Sequence, residues 1–117
     1  YGEEQFMEFA AKKIIPVNGD LIIEGLGMSK EDREMITNQC DVIINCAASV
    51  SFNEPLHDAL NINYFGSLRM LNLGKECQNM KAYCHVSTCY VNANMHTDSI
   101  IEEKIYHEDQ EVDRIVS

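Results

Sequence analysis

The apolar positions of this chain alternate between a helical and a strand rhythm. In Glu3–Lys13, Phe6, Met7, Phe9 and Ala10 recur at roughly helical spacing, with glutamates in front and Lys12 and Lys13 behind, which suits a helix dipole. Ile14–Val17 then reads as a short strand closed by Asn18-Gly19 and Asp20, with Pro16 removing one ladder donor. Gly25 and Gly27 punctuate a loop, and Ser29 followed by Asp32 resembles a capping box that opens a helix to about Asn38. The run Asp41–Ala47 predicts a buried strand. A long helix is expected from Glu54 to about Gln78, with Asn53 as its cap and Pro55 tolerated in its first turn. Its buried face should carry Leu56, Ala59, Leu60, Tyr64, Leu68, Leu71 and Gly74. Gly66, inside that helix, costs about 1 kcal/mol relative to Ala and so implies close approach of another backbone. A second buried strand, Lys81–Thr88, follows. Beyond Tyr90 the chain turns polar and acidic, with a weak helix expected from about Asp109 to Val116.

Helices alternating with strands, joined by crossovers this long, predict an α/β fold with parallel strands and helices on the sheet faces. Composition adds bounds. At 117 residues, 45% of them hydrophobic, the chain is one domain or a piece of one, expected to be soluble and ordered. A net charge of -10 disfavours nonspecific contact with nucleic acid or anionic lipid. The odd set Cys40, Cys46, Cys77, Cys84 and Cys89 contains no Cys-x-x-Cys pair, as expected for free thiols in a reducing, intracellular compartment. No apolar stretch approaches the roughly 20 residues of a membrane span. With Tyr1 in place of an initiator Met and no signal-peptide pattern, the chain reads as an internal segment.

Both strands deliver small polar residues to their carboxyl ends, where open α/β sheets bind ligands. Of Ser87 and Thr88, one side chain points across the sheet end whatever the register, and its hydroxyl can hydrogen-bond a substrate carbonyl or simply cap the strand. In Asn45-Cys46-Ala47-Ala48-Ser49 the small side chains allow either a ligand or a tightly packed helix to approach the backbone. Cys84, His85 and Cys89 carry metal-binding chemistry, but four strand steps put His85 and Cys89 about 13 Å apart, and no metal site is assigned. The carboxylates of Glu102, Glu103, Glu108, Asp109 and Glu111 read as a solvated acidic surface.

Five motifs stand together in one order: Gly19-Asp20 after a strand, Asn45-Cys-Ala-Ala48, Phe52-Asn-Glu-Pro-Leu56, Asn61-Ile-Asn-Tyr-Phe-Gly-Ser67 and His85-Val-Ser-Thr-Cys-Tyr-Val91. Their order and spacing resemble the fatty acyl-CoA reductases, extended short-chain dehydrogenase/reductases also called the male-sterility domain. The resemblance covers roughly residues 13 to 107, including Ile101-Glu-Glu-Lys-Ile-Tyr106. It implies part of a Rossmann-like, doubly wound parallel sheet, with residues 1–117 forming an internal segment of a single NAD(P)-binding domain. It also implies NADPH as cofactor and a long-chain fatty acyl-CoA as substrate, reduced to an aldehyde or a fatty alcohol.

By the same resemblance, Asp20 and its neighbour Leu21 stand near the adenine, while Cys46, Ala47 and Ala48 line the cofactor. Asn63 supports the active site and, in related reductases, a proton-relay water. Thr88 takes the position of the catalytic Ser/Thr that hydrogen-bonds the substrate carbonyl, and Ser87 lies near the cofactor. From the residues alone, Asp20 can equally cap the turn at Asn18-Gly19, and Asn63 can bond a neighbouring backbone group.

Two family features are missing from this stretch. No glycine-rich strand-turn-helix motif is present, and Tyr1, Tyr64, Tyr83, Tyr90 and Tyr106 are followed four residues later by Gln5, Leu68, Ser87, Asn94 and Gln110, never by Lys. The segment is therefore not catalytically complete, and the remainder of a parent chain is needed to finish the site. Alternatives are a noncatalytic reductase-like subunit or another extended reductase or epimerase. The family is usually tied to peroxisomal or endoplasmic-reticulum membranes on the cytosolic face, although no membrane anchor lies in these residues.

Overall fold

The computed structural model describes residues 2–106, in two units that divide between Val86 and Ser87. In the first, helix α1 (Glu3–Lys13) is followed by a turn at Glu24–Gly27, helix α2 (Lys30–Gln39) and strand β1 (Val42–Asn45). A continuous helical segment comes next, built from α3 (Leu56–Ala59), a wider turn over Leu60–Phe65 and α4 (Gly66–Glu76). Strand β2 (Ala82–His85) closes the unit and pairs with β1 in parallel. Val42 stands opposite Ala82 and Asn45 opposite His85, so the carboxyl ends of the two strands finish level.

Neither run is the fully buried strand expected: in β1 Ile43 and Asn45 are buried while Val42 and Ile44 are exposed, and β2 buries no residue fully, because only one face of the sheet is covered. Helix α4 covers the buried face. Gly74 permits this, since a Cβ there would lie 3.1 Å from the Tyr83 ring and 3.6 Å from Ile43 Cδ1. Leu26, Ile43, Leu73 and Cys77 form the apolar core. The other sheet face carries no second layer among the described residues, and Ile44 remains 68% exposed. The α/β class with a parallel sheet is therefore observed, but the doubly wound arrangement is represented only by one covered face of a two-stranded sheet.

Several expected elements differ in extent. Ile14–Val17 joins no sheet, because no strand among the described residues lies beside it to complete a ladder. Both strands are shorter than the apolar runs, since hydrogen-bonded pairing spans only the four residues with a partner opposite. Helix α1 forms as its periodicity predicts, yet buries no residue, and no other element packs on it among the described residues. Asn53 does not cap the long helix; Pro55 holds that position with extended backbone, at φ -55° and ψ 141°. The weak helix expected over 109–116 lies outside the described residues.

The expected stripe of the long helix is also displaced. Leu56, Tyr64 and Leu68 are exposed, Gly74 is buried as expected, and Gly66 and Leu73, which lie outside the expected stripe, are buried too. For the positions after Phe65 the cause is the wide turn: the Gly66 N–H donates to the Asn61 carbonyl, five residues back, which inserts a residue and rotates α4 relative to α3. Gly66 does mark a close approach, because a Cβ there would meet Leu21 Cβ at 3.0 Å.

Candidate functional site

Two loops and the wide helical turn make up the candidate site in the first unit. One loop runs from Asp20 to Gly27. Its amide ladder is local: Asp20 N–H donates to the Leu26 carbonyl (2.8 Å) and Leu26 N–H to the Ile23 carbonyl (2.9 Å). The exposed Asp20 carboxylate accepts from the Ile22 N–H at 3.0 Å. Asp20 is thus a turn-capping residue, but of the turn that follows it rather than of Asn18-Gly19.

Gly25, Leu26 and Gly27 are all left-handed, at φ 69°, 65° and 58°. For Leu26 this conformation costs about 1–2 kcal/mol. Burial of its side chain offsets that with about 1.5–3 kcal/mol. The loop therefore has a definite shape. Arg33 fastens its far end by donating to the Gly25 carbonyl (3.0 Å) while forming a two-oxygen pair with Glu76 (2.7 and 2.9 Å from Nη2). The capping residue Ser29 accepts from Asp32 N–H at 3.0 Å and donates to the Asp32 carboxylate at 2.8 Å, which starts α2 where the sequence predicts it.

The second loop leaves the carboxyl end of β1. Cys46, Ala47 and Ala48 are exposed, and their side chains are small, so a flat ligand can reach the main chain. Asn45, only 2% exposed, ends the strand with its amide 3.3 Å from His85 Nδ1. Asn63 projects from the wide turn onto this loop. Its Oδ1 accepts from the Ser49 N–H at 2.8 Å, and its Nδ2 donates to the Ser49 carbonyl at 3.2 Å. Asn63 does bond a backbone group, as one reading of the sequence allowed, but one contributed by another element. Ser67 Oγ donates to the Asn63 carbonyl at 2.7 Å, satisfying a main-chain group in the widened turn.

Leu21 is partly buried against Gly66, and its carbonyl accepts from Arg69 at 2.8 Å. Asp20, Leu21, Cys46, Ala47, Ala48 and Asn63 all belong to the first unit. Ser87 and Thr88 open the second. There the Thr88 hydroxyl accepts from the Tyr90 N–H at 3.2 Å and caps the short turn Cys89–Asn92. A hydroxyl that accepts in this way keeps its proton for donation. Ser87 is exposed. Further along this unit, the Tyr106 hydroxyl accepts from the Glu102 N–H at 2.9 Å.

Three residues with clear roles in this geometry escaped the sequence analysis. Arg33 and Arg69 carry no local spacing signal and act through groups in other elements, whereas Asn61 stands inside a motif already quoted and its role as acceptor for Arg69 shows only in the fold. Burial, then Cys40 and Glu76, push the Cys77 thiol above its ordinary value, and a hydrogen bond and the charge of Lys81 hold the Asp41 carboxyl below its own. Among the described residues no group of three metal-ligating side chains occurs, and no helix is long and apolar enough to cross a membrane.

A parallel sheet whose level carboxyl ends open onto small exposed residues defines the class: an α/β ligand-binding domain of the nucleotide-binding kind. Residues 2–116 match the NAD-binding model described as the male sterility protein, and the chain belongs to that family. It is 34% identical over 107 residues to a probable fatty acyl-CoA reductase 4 of Arabidopsis thaliana, covering 91% of this chain and 21% of that protein. A putative fatty acyl-CoA reductase of Drosophila melanogaster is 32% identical over 114 residues, 97% of this chain and 22% of the relative. The human fatty acyl-CoA reductase 1 is 36% identical over 91 residues, 77% of this chain and 18% of the relative. The chain thus spans about a fifth of the length of the curated relatives it matches.

Proposed function

We propose that this chain is the central part of an NADPH-dependent reductase that acts on a long-chain fatty acyl-CoA and yields a fatty alcohol or the aldehyde before it. The reading is supported above all by the loop after β1, where Cys46, Ala47 and Ala48 lie exposed at a level strand end and Asn63 fixes the following Ser49 backbone from both sides. These residues fit a dinucleotide. Their side chains are too small to keep its rings from the main chain, and internal hydrogen bonds fix the shape of the Asp20 loop.

The nicotinamide group supplies the hydride when bound. The protein's own contribution is to bind and orient. Cys46, Ala47, Ala48 and Ser87 would line the cofactor, and Asp20 and Leu21 would receive the adenine end. Thr88 would donate its hydroxyl proton in a hydrogen bond to the thioester carbonyl, stabilising the negative charge that develops on oxygen. The sheet around this site belongs, in this reading, to a doubly wound Rossmann-like domain. In the full-length protein, Thr88→Ala should greatly reduce turnover and leave NADPH binding nearly intact. Unchanged turnover would refute the assignment of Thr88, and a full-length protein that reduces no acyl-CoA with either NADPH or NADH would refute the reductase reading.

A further inference from the structure

A part-buried guanidinium joins the Asp20–Gly27 loop to the wide helical turn. The Arg69 side chain, on the second turn of α4, is only 20% exposed. Its Nη1 donates to the Leu21 carbonyl at 2.8 Å and reaches both the Asn61 carbonyl and Asn61 Oδ1 at 3.3 Å. Its carboxylate neighbour is a weak partner, since Glu24 Oε2 stands 3.7 Å from Nε on a side chain that is 95% exposed. The main interaction of Arg69 is therefore with main-chain carbonyls, one in the Asp20–Gly27 loop and one in the wide turn.

That turn serves both loops. Asn61 lies in it and is tied through Arg69 to Leu21, and Asn63, two residues on, grips Ser49. Gly66 completes the arrangement, because the absence of a Cβ lets Leu21 settle against the helix where the guanidinium can reach its carbonyl. All three acceptors are met by Nη1, whose two N–H groups leave the two longer Asn61 contacts to share one of them. The geometry points to Arg69 as a positioning residue that straps the Asp20–Gly27 loop to the turn carrying Asn63 and thereby sets the affinity for the dinucleotide. The affinity part of this inference rests on the cofactor reading above.

The test uses the full-length protein with Arg69→Met and Arg69→Lys. NADPH affinity is measured by nicotinamide fluorescence, KM and kcat are measured separately, and amide hydrogen exchange is followed without ligand. Arg69→Met should raise the Kd and KM for NADPH about tenfold while changing kcat less than about twofold, since the lost bonds act on binding and not on the reacting carbonyl. The Ile22 and Leu26 amides should exchange faster, while those of β1 and β2 keep their rates. Arg69→Lys should fall between wild type and Met, and it decides the matter if Arg69→Met does not fold. Wild-type affinity and loop exchange in the variants would overturn the strap while leaving the cofactor reading standing, as would acceleration spread evenly over all amides. A wild-type protein that binds no NADPH would overturn both.

Discussion

Asn63 and Ser49 are joined by a reciprocal pair of hydrogen bonds in which one side-chain amide satisfies both the N–H and the carbonyl of a single residue, at 2.8 and 3.2 Å. This fixes the path of the chain immediately after Ala48. Asn63→Ala removes both bonds from an exposed position and should cost about 1–2 kcal/mol of stability, read from denaturant unfolding. Asn63→Asp keeps an acceptor for the Ser49 N–H but sets an oxygen against the Ser49 carbonyl, so it should not restore the lost stability. Equal midpoints for wild type and both variants would show that the pair does not constrain the loop.

Gly74 faces the Tyr83 ring across the helix–sheet contact. Gly74→Ala gains about 1 kcal/mol of helix propensity and meets a ring that must give by a few tenths of an ångström, so the net change should be small. Gly74→Val adds two further methyl groups at a place with no room and should destabilise by about 1–3 kcal/mol. The contrast between the two variants in thermal unfolding tests whether α4 sits on the sheet as closely as described. The need for a small residue here is not evident in the sequence, where Gly74 reads as one more position on an apolar stripe.

The thiols should differ in reactivity. Cys77 is buried and its thiol is held above its ordinary value by burial, then by Cys40 and Glu76, whereas Cys46 is exposed at the candidate cofactor loop. Iodoacetamide at neutral pH should modify the exposed Cys46 and Cys84 in the folded protein and Cys77 only as it unfolds, because the thiolate is the nucleophile and must be reachable. In the full-length protein, NADPH should slow modification of Cys46 and leave that of Cys77 unchanged. Peptide mass analysis with and without the dinucleotide measures both.

At the amino edge of the sheet, Lys81 Nζ lies 2.6 Å from the Asp41 carboxylate, and the Lys81 N–H donates to the Asp41 carbonyl at 2.7 Å. The hydrogen bond and then the charge of Lys81 lower the Asp41 value in the folded state, so its contribution is present above the ordinary carboxylate range and lost as pH falls through the lowered value. Lys81 is raised by the same partner, so its contribution is full below the ordinary lysine range and lost as pH rises through the raised value. Lys81→Met should flatten the acid limb of the stability profile, and high salt should reduce the difference from wild type because the pair is at the surface. An unchanged acid limb would mean that the pair adds nothing to the register it accompanies.

The Ser29 cap, the two helices with clear periodicity and the parallel order of the two apolar runs were all legible from residue types, because each depends on contacts within a few positions or on a repeat that survives any packing. The motifs Asn45–Ala48, Asn61–Ser67 and His85–Val91 likewise carry the family in the sequence itself. The extent of the strands was not legible, since a strand ends where its partner does, and β1 and β2 share only four paired residues. Nor was the buried face of the long segment. A five-residue hydrogen bond from Gly66 to Asn61 shifts the helical phase, and no propensity at Leu60–Phe65 announces it.

The amino-acid sequence by itself thus determined the class of fold, the family and the identity of the small residues at the strand ends. Tertiary structure alone decided that Asn63 holds Ser49, that Arg69 and Gly66 bring Leu21 to the same helical turn, and that Arg33 secures Gly25. The reason is physical. Each of these contacts joins different elements of the chain, and most end on main-chain atoms, which every residue possesses and which leave no mark in sequence.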